Sequence, residues 1–372
     1  MRYPVRAAAS DEMIINALQG TGFILEHKVA MELQKNKWNT INGRYYLDDV
    51  DGRARELDLI AYKVTKGEDI DIATGVLISC KKEAKNTVAF LSRKRPKVDP
   101  NADWEPVHWW TKSEPINSYL LSEKWKAKYL DCDPNIKQKM LSPSRDIFAF
   151  QLVSEGGTPQ NDKPIFDSVT CLMKALDHEI TRFQAKSKRT TRIYQFILCT
   201  IFDAPMVDVQ YEHSPAKVLQ TPRITYFSKY IVNKRDSSAL IHFIRFEELN
   251  KFLGDLNSLH KHNAKFFTDQ VKEAYDAIKT SPQVRKYFSS HAGWEFKLII
   301  NRRRRKLTRN TKKIEELNFG YYGDQLQIEV DASEDTVKSL NNDKETRGEI
   351  AKLLKEKLRY TGKFNIEEGI PF

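Results

Sequence analysis

Apolar and polar positions alternate or cluster along this chain in ways that separate helices from strands. Between Thr21 and Leu33 the apolar residues Phe23, Leu25, Val29, Met31 and Leu33 recur at helical spacing, and Thr21 can cap the start. Two nearly continuous apolar runs follow, Arg55–Ala61 and Val76–Lys82. Runs of that length suit strands of a sheet buried on both sides. Side chains on a strand alternate faces, so Asp58, Ile60 and Tyr62 share one face, and Leu77, Ser79 and Lys81 share one on the second strand. Further along, 147–153 reads as a strand, 167–186 as an amphipathic helix and 193–202 as an apolar strand. Strand, helix, strand at this spacing lets a sheet grow by parallel or mixed addition.

After residue 206 strand-like runs are predicted at 222–232 and 239–246, helices at 247–261 and 266–279, and an apolar strand from Trp294 to Ile300. An alternating segment at 325–330 and a charged amphipathic helix at 345–358 close the pattern. The expected fold class is therefore α/β. Residues 1–205 form a core with an insertion at about 84–145, and 206–372 form an α+β accessory extension. Within the insertion, 92–116 is rich in proline, charge and tryptophan (Trp104, Trp109, Trp110), and 114–130 reads as a helix with Leu120, Leu121 and Trp125 on one side. The tryptophans either anchor a loop to the core or stack on splayed bases.

Two charges stand inside the apolar strands. Asp58 and Lys81 would be costly there unless they pair, bind metal or open onto a cleft. Glu26 falls at the edge of the apolar face of the first helix, where an early glutamate also favours the positive helix end. Glu56 and Glu83 lie two residues from Asp58 and Lys81, and could share their faces or stand in solvent.

The order Gly22-Phe23 with Glu26, then Trp38 and Tyr45-Tyr46, then the Asp58 strand and the Lys81 strand resembles the PD-(D/E)xK restriction-endonuclease-like nucleases, in an Mrr-like arrangement. The resemblance implies a mixed sheet flanked by helices and a Mg²⁺ or Mn²⁺ site. In it, Glu26 and Asp58 match metal-binding acids, the Cys80 backbone carbonyl a further metal ligand, and Lys81 the lysine that orients or deprotonates the attacking water. Ser79 stands where the family has its second acid, which removes one negative charge from the site. Two functions follow. The chain is a metal-dependent nuclease, acting on DNA in preference to RNA and implying restriction or anti-phage defence, or it is an inactive nucleic-acid-binding or assembly subunit on the same fold.

Charge and composition fit a nucleic-acid partner. The net charge is +11 over 372 residues. Lys82 and the run Arg302, Arg303, Arg304, Arg305, Lys306 and Arg309, within a basic segment at 302–313, are the expected phosphate contacts, projecting as a loop or strand end. The four cysteines (80, 132, 171, 199) lack CxxC spacing, which argues against a zinc site and a disulfide scaffold and suits a reducing cytoplasm. No run reaches the length of a membrane span, so no membrane partner is expected. His260 and His262 are expected on a helix surface, without a third ligand. No phosphate-binding glycine loop of the nucleotide-dependent kinds occurs, so any translocation would need a partner protein, and a homo-oligomer is equally open.

Overall fold

The strand that carries Ser79 and Lys81 is buried at ten of its twelve positions, as is the strand parallel to it, and the main sheet is assembled around the pair. The structure, a computed structural model, describes residues 9–67, 70–96, 107–113, 116–117, 119–120, 125–185, 191–212, 214–308 and 312–369. Trp104, Leu121 and Arg309 lie outside the described residues. After helices α1 (Asp11–Gln19) and α2 (Gly22–Lys35), the strands β1 (Asn39–Leu47), β2 (Ala54–Thr65) and β3 (Asp71–Lys82) run as an antiparallel meander. Strand β3 is buried from Asp71 to Cys80, as its unbroken apolar run requires of a strand covered on both faces.

Two further strands are β4 (Asn86–Arg93) and β5 (His108–Thr111). Helix α3 (Trp125–Asp131), strands β6 (Asp146–Ser154) and β7 (Pro159–Gln160), and helix α4 (Lys163–Ala185) follow. Strand β8 (Arg192–Asp203) then lies parallel to β3 along its whole length. Next come β9 (Met206–Gln210), β10 (Lys217–Gln220), β11 (Arg223–Val232) and β12 (Arg235–Arg245), before helix α5 (Leu249–Asp276). The main sheet has the order β1-β2-β3-β8-β12-β11, with β5 paired to β8 beside β12. The second sheet has the order β10-β9-β4-β6-β7.

The two faces of β3 meet different helices. Thr74 and Gln195, paired in register, bond to His260 and Asn263 of α5. On the opposite face Thr200, the partner of Ser79, bonds to Ser168 of α4 at 3.2 Å. Helix α2 joins the α5 side through Trp38, which directly follows its last turns and donates to Asn257 at 3.0 Å. Leu25, Val29 and Leu33, spaced by four, are buried with Ala30 on the inner side of α2, whereas Phe23 and Met31 fall on its outer side and are exposed. The second sheet packs on the main one through Phe90 against Phe243 at 4.8 Å and Phe150 against Tyr226 at 5.9 Å.

By contacts the chain forms two units, Met1–Lys112 with Lys126–Lys265, and Ser113–Trp125 with Phe266–Phe372. The boundary expected at 205/206 does not follow the sheets. Strands β11 and β12 extend the main sheet, since β12 pairs with β8 in parallel from Ile241↔Leu198. Nor is 84–145 a detachable insertion, because β4 pairs with both β6 and β9 and is the centre of the second sheet.

The second unit has a three-stranded sheet of β13 (Leu317–Tyr322), β14 (Gln325–Val330) and β15 (Phe364–Glu368). Helices α6 (Pro282–Leu307), α7 (Glu334–Asn342) and α8 (Lys344–Leu358) share a core with it. The strand expected from Trp294 to Ile300 is part of α6. The buried residues Phe288, Ala292, Phe296 and Ile300 recur every four positions, a helical stripe that outweighs local apolar density. Ser281 caps this helix, accepting from the Val284 amide at 3.4 Å, with Pro282 at its first position. His260, expected on the surface, is buried and bonded to Thr74 and Thr65. Among the described residues no helix is long and apolar enough to cross a membrane, and all four cysteines are free.

Candidate active site at the parting of two strands

Pairing between β2 and β3 ends at Leu59↔Ile78, and one more step of the register places Asp58 opposite Ser79. Beyond that point β2 continues against β1 alone, as far as Leu47↔Ala54, while β3 continues against β8 to Lys82↔Asp203. The parting leaves strand N–H groups of β3 without a backbone acceptor. Asp58 supplies one: its Oδ2 accepts the Cys80 amide at 2.6 Å and the Ser79 hydroxyl at 3.3 Å. The aspartate is thus fixed by the strand it faces, and only partly covered.

Helix α2 brings Glu26 to the same place. Its carboxyl is held above the usual carboxylate value by burial first, then by the negative charges of Asp58 and Glu56, with Lys81 acting in the opposite direction. The Cys80 thiol is pushed well up, again by burial first and then by Asp58 and Glu26. Three acids and one lysine, drawn from a helix and two strands, therefore share one field. Thr21 occupies the N-cap of α2 as expected from its position, but its hydroxyl donates to the Leu18 carbonyl at 2.6 Å instead of accepting from the helix.

Some partners were not legible beforehand. Glu56 is exposed and accepts from the Tyr45 hydroxyl at 3.1 Å. It lies over Gly43, whose φ of +60° favours glycine. Cys171 of α4 donates to the Glu56 carbonyl at 3.7 Å. Its thiol is pushed up by burial. The contact of Cys171 with Glu56 joins residues 115 apart in the chain, and no local pattern marks it.

Other expected contacts are placed differently. Lys82 donates to the Gln19 carbonyl at the end of α1 and pairs with Asp203 at 3.8 Å, so it ties the strand end to its neighbours. Glu83 accepts from Asn86 at 2.9 Å in the turn into β4. In the second unit the basic run is helical as far as Leu307 and is not a projecting loop. Helical geometry turns Arg303 and Arg304 inward, where both are buried, and leaves Arg302, Arg305 and Lys306 outside. Arg303 pairs with Asp343 at 2.6 Å and with Glu345, and Arg302 pairs with Glu349.

Among the described residues no group of three or more His, Cys, Asp or Glu could hold a metal ion. The carboxylates sharing the field at the parting are those of Glu26, Asp58 and Glu56, and the Cys80 carbonyl is the further ligand that the resemblance implies. Such a set is short of a closed protein cage, and fits a hard cation that keeps waters and takes substrate phosphate into its shell. Comparison of the chain with protein-family models, curated proteins and solved structures found no match.

Proposed function

We propose that this chain is a divalent-metal-dependent phosphodiester hydrolase acting on nucleic acid, DNA in preference to RNA, with its site where β2 and β3 part. The observation that carries the reading is the parting of β2 and β3, where Asp58 is fixed by the Cys80 amide at 2.6 Å and shares its field with Glu26, whose carboxyl is raised by burial first and then by Asp58 and Glu56, with Lys81 opposing. Like charges gathered at the end of a sheet, with a lysine beside them, are what a cation and a phosphate would relieve. Mg²⁺ or Mn²⁺ held by Glu26, Asp58 and the Cys80 carbonyl would supply Lewis-acid polarisation of the phosphoryl group and a more acidic water. Ser79 and the Cys80 amide keep the Asp58 carboxylate in a fixed orientation. The Lys81 ammonium neutralises phosphate charge and orients the water that adds to phosphorus as the bond to the leaving oxygen breaks. Restriction or anti-phage defence is the role that the PD-(D/E)xK resemblance implies for such an enzyme.

A second reading has its own support. The hydroxyl of Ser79 in place of an acid, and the absence of a three-ligand group among the described residues, favour a module that binds nucleic acid without cutting it. Plasmid, single-stranded DNA and RNA incubated with Mg²⁺, Mn²⁺ or EDTA separate the two. Metal-dependent cleavage lost in both Asp58→Ala and Lys81→Ala supports the enzyme. Retained binding with no cleavage in any metal supports the module.

A further inference from the structure

Helix α6 has two unlike faces. Its inner stripe fills the core of the second unit, while Trp294 is 56% and Leu298 61% exposed on the outer side. An exposed tryptophan one turn before an exposed leucine has no role in that core. The pair floors an open groove of about 820 Å³ whose lining includes Arg305, Lys306 and Lys313, together with the acid Glu315. Those three cations are exposed and form no ion pair among the described residues. Along the helix, Trp294 and Arg305 are separated by about 16 Å at the rise of an α-helix.

We propose that this groove binds single-stranded nucleic acid, one base stacking on the Trp294 indole and the backbone phosphates meeting Arg305, Lys306 and Lys313. Bases in a duplex are stacked on one another and do not offer a free face, whereas a single strand does. An amphipathic peptide helix seats its apolar anchors at i, i+3, i+4 and i+7, whereas the groove adds only half-buried Ile299 and buried Ile314 to Trp294 and Leu298, beside three exposed cations. Cations at the rim match a phosphate backbone in sign and in repetition. The proposal rests on the reading of nucleic acid as the partner and is independent of cleavage.

Fluorescence anisotropy of the full chain in EDTA tests it, with fluorescein-labelled oligo(dT), an abasic strand of equal length and a duplex as probes. Oligo(dT) should bind more tightly than the duplex. Trp294→Ala should weaken oligo(dT) binding roughly 5- to 150-fold, the range of one lost stacking contact, and leave the abasic strand unchanged, while Trp294→Phe retains most of the affinity. Arg305→Ala with Lys306→Ala should weaken both single strands alike and reduce the salt slope by about 1.4, at 0.7 per phosphate. Unchanged oligo(dT) binding in Trp294→Ala, an equal loss on the abasic strand, or displacement of oligo(dT) by an acidic leucine-rich peptide but not by unlabelled strand would each overturn the proposal. Since EDTA silences metal-dependent cleavage, an inactive enzyme that still binds through Trp294 sinks only the nuclease reading.

Discussion

Asp58 on β2 accepts the backbone amide of Cys80 on β3 at 2.6 Å, so one side chain closes the ladder where the two strands part. The same carboxylate is the centre of the proposed site, which couples stability to chemistry. Asp58→Ala should lower stability by about 1.5–3 kcal/mol, the worth of a hydrogen bond to a charged group. Asp58→Asn keeps an acceptor for the Cys80 amide and should recover part of that loss, yet both variants should fail to cleave. Thermal melts beside a plasmid-nicking assay read the two effects apart. An Asn variant that cuts at the wild-type rate would remove Asp58 from the chemistry.

Glu26 gives the site a pH signature. Its carboxyl is raised above the ordinary value of 4.5, by burial and then by Asp58 and Glu56. A carboxyl raised in the folded state opposes folding when ionised. That penalty is full above the folded value, declines as pH falls through it, and is absent below about 4.5. Glu26→Gln should therefore melt higher than wild type at pH 7 in EDTA, and the difference should vanish under acid conditions. Added Mn²⁺ should raise the wild-type midpoint more than that of the Gln variant. Equal midpoints at every pH would mean that Glu26 does not feel its neighbours.

Ser79 is 1% exposed and its hydroxyl points at Asp58. Ser79→Ala should cost only about 0.5–1.5 kcal/mol. Ser79→Asp sets two like charges directly across the strand pair, which is destabilising without metal. With Mg²⁺ or Mn²⁺ at a hundred times its dissociation constant the variant should regain about 2.7 kcal/mol, and cleavage should rise. Calorimetric scans with and without metal test this, and a variant whose melting ignores the cation would count against Asp58 as a ligand.

The central sheet was legible because β3 and β8 are apolar along most of their length and Asp58 and Lys81 interrupt apolar runs. Strand parity placed Asp58 and Lys81 on their faces, whereas Glu26 joined them only through the PD-(D/E)xK resemblance. What the sequence did not carry was sheet membership. Strands β11 and β12 read correctly as strands near their observed ends, but only the pairing Ile241↔Leu198 assigns them to the main sheet. The stretch Trp294–Ile300 was misread because exposed Trp294 and Leu298 raise the local apolar density of a helix whose buried stripe runs through Phe296 and Ile300. Read at a period of four, the same residues separate into two faces.

That helical reading divides the basic run into structural and exposed cations, and the division can be measured. Asp343 caps α8, accepting the Thr346 amide at 2.9 Å and the Thr346 hydroxyl at 2.6 Å, and it receives Arg303 at 2.6 Å. Together they hold its carboxyl down to about 2, the Thr346 side chain contributing most. A carboxyl depressed on folding stabilises above its ordinary value of 3.8, and that contribution is lost as pH falls through about 2. Arg303→Ala should thus lower the melting midpoint of the second unit at pH 7 and leave a smaller difference at pH 2. Arg305→Ala, on the exposed side of the same helix, should leave melting unchanged and weaken nucleic-acid binding instead. If Arg303→Ala melts like wild type while losing affinity, the buried arginine is a binding residue and the structural assignment fails.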